Sequence, residues 1–87
     1  MADLTRKAKT QLEHSDHILA AAPGSWLLAC EPVEGVNMRA GGLLRYEIGA
    51  RFRVEFGIGG LLWCLDEQAR SVTFDREQMF ALERAHG

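Results

Sequence analysis

The chain is poor in the features that mark secreted and membrane-spanning proteins. It has two cysteines and two prolines in 87 residues, whereas a small secreted domain held by disulfides usually has four or more cysteines. Its longest apolar run, Trp26 to Cys30, is far shorter than the roughly 20 residues that a bilayer requires. We therefore expect no disulfide framework and no membrane span. The polar residues 2–10 also predict that no signal peptide is present.

An excess of charge of one sign is lacking as well. Ten basic and twelve acidic residues give a net charge of −2, and like charges never gather in a block. A protein that neutralises many phosphates normally has a basic excess, so the composition disfavours binding to duplex DNA or bulk RNA. Cys30 and Cys64 lie far apart in no recognised spacing. They are typical of reduced thiols in a cytoplasmic protein.

Length and composition predict one small soluble domain that covers residues 1–87. A chain of this length buries only about 60–65% of its unfolded surface, which leaves one modest core. Disorder is not expected, because 47% of the residues are apolar and the net charge is small.

The first third of the chain predicts a helix, a strand and a loop. Apolar residues at helical spacing, a capping residue at Asp3 or Thr5 and a stop at Pro23-Gly24 predict an N-terminal helix over residues 3–22. The run over residues 25–31 predicts a short strand that is buried on both faces. Residues 32–42 have the proline and glycine content of a loop.

The segment from residue 43 to residue 74 predicts a β-meander. Apolar and charged residues alternate over residues 44–48 and 51–56, as in half-buried strands. Gly49 lies where the chain turns or where a bulge bends one long strand.

Loop lengths predict the register of this meander. A four-residue loop at 57–60 would set Phe52 opposite Leu65 and Val54 opposite Trp63. A second four-residue loop, at 67–70, would set Trp63 opposite Phe74. Apolar residues then oppose each other in both pairs of strands, and Trp63 is predicted to be the centre of the core.

The C-terminal residues predict a second helix. Asp75 is a good N-cap, Gln78 completes a capping box, and apolar residues follow to Gly87. The predicted fold class is α+β. A mostly antiparallel sheet of about five strands is flanked by an N-terminal and a C-terminal helix, both packed on one face.

No motif indicates catalysis, a cofactor or a metal. His14 and His17 lie three residues apart on the predicted helix, but zinc sites need three or four protein ligands. The glycines at 57–60 lie between strands, whereas a phosphate loop opens onto a helix. No serine or cysteine stands beside an activating base. We therefore expect a protein that is not an enzyme.

Four arginines are the candidate partner-binding residues: Arg45, Arg51 and Arg53, with Arg39 nearby. The first three are predicted on the sheet face opposite the core, where an anionic partner would bind. Glutamates share this face, so a solvated, ion-paired surface is the ordinary interpretation. Tyr46 and the phenylalanines are predicted on the core face, which leaves no exposed aromatic platform for single-stranded nucleic acid.

Two functions follow from these observations. The first is a non-catalytic protein–protein interaction module, for example a small inhibitor or adaptor of the kind found among phage and mobile-element accessory proteins. The alternative is a small nucleic-acid-binding module that uses the arginine-bearing face. A homodimer is also expected, because the core is small and Trp26–Cys30 would form an unprotected edge strand. In the competing arrangement, this run lies inside the sheet and the protein is a monomer.

Overall fold

One antiparallel sheet of seven strands organises the computed structural model, which describes residues 12–85. A helix, α1, occupies residues 12–19 of the described part. The strands that follow in chain order are β1 (Trp26–Ala29), β2 (Val33–Asn37), β3 (Leu43–Tyr46), β4 (Arg51–Ile58), β5 (Leu61–Leu65), β6 (Ser71–Phe74) and β7 (Leu82–Arg84), with a 3₁₀ turn at Gln78–Ala81 before β7. The result is a small compact α+β domain.

The sheet is strongly curled. Its strands lie in the order β3-β2-β6-β5-β4-β1-β7, so β3 and β4 are four positions apart, about 19 Å in a flat sheet. The rings of Tyr46 on β3 and Phe52 on β4 nevertheless have centroids only 4.7 Å apart. Phe52 also packs against Phe74 at 4.9 Å. The core therefore lies on the concave side of the sheet, around these three rings.

Helix α1 packs against β4, β7 and Arg76. The Ser15 hydroxyl is fully buried and donates a hydrogen bond of 2.7 Å to the carbonyl of Arg76. His14 Nε2 donates one of 2.7 Å to the carbonyl of Leu82, at one edge of the sheet. Leu19 lies against the backbone of Gly57 on β4. The predicted N-terminal helix is thus confirmed over residues 12–19, and its predicted start lies outside the described residues.

The predicted register of the β4–β5 hairpin is wrong by two residues next to the turn and by one residue beyond a bulge in β4. The turn is the two-residue pair Gly59-Gly60, with φ of 60° and 78°, values that suit the tight turns of β-hairpins. A bulge between Val54 and Phe56 then shifts the pairing, so that Val54 lies opposite Cys64. A slip of one residue exchanges the two faces of a strand. The face of β5 that was predicted to point outward therefore packs against the core.

Trp63 is therefore not the centre of the core. It lies opposite Phe56 and Thr73, on the outer face, and is half-buried. Leu62 and Cys64 occupy the core side of β5. The predicted pairs Val54–Trp63, Phe52–Leu65 and Trp63–Phe74 are all wrong.

The predicted meander holds for β4, β5 and β6 only. Strand β3 pairs with β2 rather than with β4, and β2 occupies residues that predicted a loop. Gly35 explains the difference, because a Cβ at this position would overlap the side chain of Val72 on β6. This glycine permits two strands to approach closely.

A C-terminal helix does not form within the described residues. Its capping box is present, since the Asp75 N–H donates to Gln78 Oε1 at 2.9 Å and the Gln78 N–H donates to Asp75 Oδ1 at 2.8 Å. The box opens a single 3₁₀ turn, after which Leu82–Arg84 pair with β1. Pairing with the sheet thus overrides the local helical signal, and α1 is the only α-helix between residues 12 and 85.

Strand β1 is confirmed as a strand, but the prediction that it is buried on both faces is wrong, because Trp26 is 45% exposed on the outer face. Nor is β1 an edge strand. It lies between β4 and β7, so the interior arrangement is the correct alternative for Trp26–Ala29. Within residues 12–85, the edges of the sheet are β3 and β7. Within the described part of the chain, the helical segments are too short and too polar to cross a lipid bilayer.

Candidate interaction surface

A buried carboxylate, Asp66, holds the loop between β5 and β6. Its Oδ2 accepts hydrogen bonds from the Tyr46 hydroxyl and from Arg70 Nε, both at 2.8 Å. Its Oδ1 accepts the backbone N–H groups of Gln68 and Arg70, both at 2.9 Å. These groups all come from the protein and use both carboxylate oxygens, so the cluster has a structural role.

The pKa values in this cluster follow from these contacts. Burial alone would raise the pKa of Asp66, but the hydrogen bonds from Arg70, Tyr46 and Gln68 outweigh it and hold that pKa below its usual value. For Tyr46, burial first and the Asp66 carboxylate second raise the pKa well above the usual range. Tyr46 therefore stays a hydrogen-bond donor and Asp66 an acceptor.

The two histidines of α1 attach the helix to β7. His14 Nε2 is engaged by Leu82, and the carbonyl of His17 accepts a hydrogen bond of 2.7 Å from Arg84. Between residues 12 and 85, no group of three His, Cys, Asp or Glu side chains is placed to hold a metal ion. Both cysteines are free thiols, and burial raises the pKa of Cys64 to about 12.

The structure brings together two of the four candidate arginines. Arg51 and Arg53 alternate with buried residues on β4, so both point to the outer face. Arg45 lies on β3, separated from β4 by three strands, and its Nε is 3.8 Å from the Glu47 carboxylate. Arg39 lies in the turn after β2, where its backbone N–H donates to Asn37. The predicted arginine face is therefore reduced to Arg51 and Arg53 on one strand.

These two arginines belong to a surface that we call the outer patch. It is formed by the outward side chains of three neighbouring strands, β1, β4 and β5, which are Trp26, Leu28, Arg51, Arg53, Phe56, Ile58, Leu61, Trp63 and Leu65. Several of its large apolar side chains are open to solvent: Trp26 is 45% exposed, Phe56 44% and Ile58 64%.

Cross-strand pairing sets the geometry of the outer patch. Trp26 lies directly opposite Arg53 in the β1–β4 pair. The rings of Phe56 and Trp63 stack with centroids 5.1 Å apart and planes 20° apart. Side chains that are directly opposed in an antiparallel pair have Cβ atoms about 4.5–5.5 Å apart, so the patch is continuous across all three strands.

The outer patch changes character along β4. Arg51 and Arg53 lie at one end, and the apolar pair of Ile58 and Leu61 lies at the other. Among the described residues, neither arginine forms an ion pair. Two carboxylates are close in sequence or space: Glu55 lies at the bulge, and Glu67 accepts the backbone N–H of Arg51 at 2.9 Å.

Sequence reasoning missed the aromatic part of this surface. It placed the phenylalanines and Trp63 on the core face, but Phe56, Trp63 and Trp26 lie on the outer face. The signal that was present is Gly59-Gly60, because two consecutive glycines between apolar runs favour a two-residue hairpin turn. That turn by itself sets Phe56 opposite Trp63, and the bulge between Val54 and Phe56 then places this pair on the outer face.

Comparisons with protein-family models, with curated proteins and with solved structures give no match for this chain. The functional argument therefore depends on the outer patch itself.

Proposed function

We propose that the protein is a non-catalytic protein–protein interaction module and that its partner binds the outer patch. The observation that carries this proposal is the row of exposed apolar side chains on β4 and β5, with Ile58 64% exposed and Phe56 44% exposed. Contiguous exposed apolar surface, particularly with a polar border, marks interaction sites. Tryptophan and arginine are also the residues that dominate binding energy at protein interfaces.

Ile58 and Ile48 provide a matched test. Both are isoleucines with similar exposure, 64% and 67%, but only Ile58 belongs to the outer patch. The tagged protein and the variants Ile58→Asp and Ile48→Asp are used to capture proteins from a lysate of the source organism, with quantification by mass spectrometry. We expect a stoichiometric partner that Ile58→Asp loses and Ile48→Asp retains. Equal recovery with both variants would contradict the proposal.

An inhibitor or adaptor is the form of activity that we propose for such a module. A surface that binds without reacting acts by covering a site on its partner or by joining two partners. We place this activity in the cytoplasm, where the two free cysteines would remain reduced.

Nucleic-acid binding is the second candidate, and one observation favours it. Exposed aromatic rings at Trp26 and Phe56 lie near Arg51 and Arg53, a combination on which single-stranded bases can stack. The net charge of −2 and the aliphatic end of the patch favour a protein partner instead. Binding of a fluorescent oligo-dT that weakens steeply with salt would support this candidate.

A homodimer is a separate proposal. A second copy would pair with β3 or β7, because each of these strands has a neighbour on one side only among the described residues. Light scattering over a tenfold concentration range tests it. A mass that stays near 9.7 kDa throughout would reject the dimer.

A further inference from the structure

We infer that the outer patch binds a protein segment that is acidic at one end and apolar at the other. This inference rests on the proposed function and names the chemistry of the partner. Its basis is the change of character along β4, where Arg51 and Arg53 are followed by Phe56 and Ile58 on the same outer face.

The arginine end of the patch is suited to carboxylates. Guanidinium groups bind carboxylates through paired hydrogen bonds, and neither Arg51 nor Arg53 is occupied by an ion pair within residues 12–85. Trp26 stands opposite Arg53. Its indole would exclude water from a carboxylate bound there, and exclusion of water strengthens charged contacts at interfaces.

The apolar end of the patch is suited to aliphatic or aromatic side chains. Ile58 and Leu61 face each other across the end of the hairpin, next to the stacked rings of Phe56 and Trp63. The outward side chains at this end carry no charge, since those of both strands beyond Phe56 are apolar. A charged group of the partner would lose its hydration here without finding a counter-charge.

The length of the patch along β4 fits an extended segment of a partner protein. From Arg51 to Ile58 the strand extends about 23 Å, and three strands span about 10 Å between their axes. An extended segment of about seven residues covers the same length, with its carboxylates over the arginines and its apolar side chains over Ile58.

A library of random twelve-residue peptides displayed on phage tests the inference on the full chain, without knowledge of the natural partner. We expect enriched peptides to carry Asp or Glu at one end and large apolar residues at the other. Synthetic copies of these peptides should bind with affinities that fall at least tenfold in the double variant Arg51→Glu/Arg53→Glu. The matched control is Arg39→Glu/Arg45→Glu, which makes the same change of charge outside the patch and should bind as the unmodified protein does.

Other outcomes would overturn the inference in distinguishable ways. Peptides that are lost with Ile58→Asp but retained by Arg51→Glu/Arg53→Glu would leave the proposed function intact and reject the acidic partner. Peptides unaffected by both variants would reject the outer patch itself. Enrichment no greater than on the bare support, together with oligo-dT binding that Arg51→Glu/Arg53→Glu abolishes, would assign the patch to nucleic acid. Thermal melts of each variant verify that it is folded.

Discussion

The substitution Asp66→Asn tests whether the carboxylate cluster between β5 and β6 stabilises the fold. An asparagine keeps the shape of the side chain and one carbonyl oxygen, which can still accept the two backbone N–H groups. It replaces Oδ2, which lies 2.8 Å from Arg70 Nε in the unmodified protein, by an NH₂ group. Two hydrogen-bond donors then face each other at this distance. The Tyr46 hydroxyl loses its acceptor while it remains buried.

The size of the effect follows from these two losses. A buried donor without a partner costs about 1–3 kcal/mol, and a hydrogen bond to a charged group contributes about 1.5–3 kcal/mol. Arg70 is partly exposed, with 43% of its side-chain surface open, so its share is discounted for solvent screening. We expect Asp66→Asn to lower the free energy of unfolding by about 2 kcal/mol, equivalent to about 8–16 °C in Tm for a domain of this size.

The effect of Asp66 depends on pH in a defined direction. Since the folded-state pKa of Asp66 lies below its ordinary value of 3.8, the carboxylate stabilises the fold fully above that value. Its contribution disappears as the pH falls through the lowered folded-state pKa. Thermal melts of the protein and of Asp66→Asn should therefore differ most at neutral pH and converge in acid.

Controls separate the buried cluster from ordinary ion pairs. Arg76→Gln removes the exposed pair between Arg76 and Asp16, and such pairs contribute only about 0–1 kcal/mol. It should shift Tm by no more than a few degrees. If Asp66→Asn melted within 2 °C of the unmodified protein at neutral pH, the reasoning about Asp66 would be refuted.

Further predictions concern the core and the two contacts that shape the sheet. Phe52→Ala should lower the free energy of unfolding by about 3–5 kcal/mol, because Phe52 is fully buried. Trp63→Ala should lower it by less, since Trp63 lies half-buried on the outer face. Urea titrations that gave the reverse order would contradict the observed register. Gly35→Ala should destabilise the protein by about 1–3 kcal/mol, because its Cβ would overlap Val72; unchanged stability would show that β2 and β6 can separate. His14→Ala should increase hydrogen exchange at β7 before it affects β5, because His14 holds α1 to Leu82; equal protection in both proteins would exclude that role.

The sequence predicted those strands in which the pattern of apolar residues agrees with the strand pairing in the structure. Alternation placed β4 correctly, and a short apolar run placed β1. It could not predict the bulge between Val54 and Phe56, because an extra residue in one strand leaves no mark in the alternation of either partner. That single residue moved Trp63 from the predicted core to the outer patch.

Strands β2 and β7 were not predicted, because the local sequence signals disagree there with contacts to residues distant in sequence. Gly35 looks like a loop residue, and its need for a small side chain appears only when Val72 lies beside it. Asp75 and Gln78 form the capping box that their spacing predicts. The chain nevertheless leaves the helical conformation at Leu82, directly after the 3₁₀ turn, because β7 pairs with β1. Arg51 and Arg53 were identified as candidates from charge alone, whereas their aromatic neighbours required the true register.

The pairing of β1 with β7 has a consequence for how the chain folds. These are the first and last strands along the described chain, and Leu27 lies opposite Arg84. A contact between residues so distant in sequence closes a long loop, and such contacts slow folding. During synthesis, β1 can pair with β4 on one side. Its other side has no partner until residues 82–84 have left the ribosome. Until then the apolar strand β1 is an edge of the nascent sheet, and an exposed apolar edge can pair with other chains or bind chaperones.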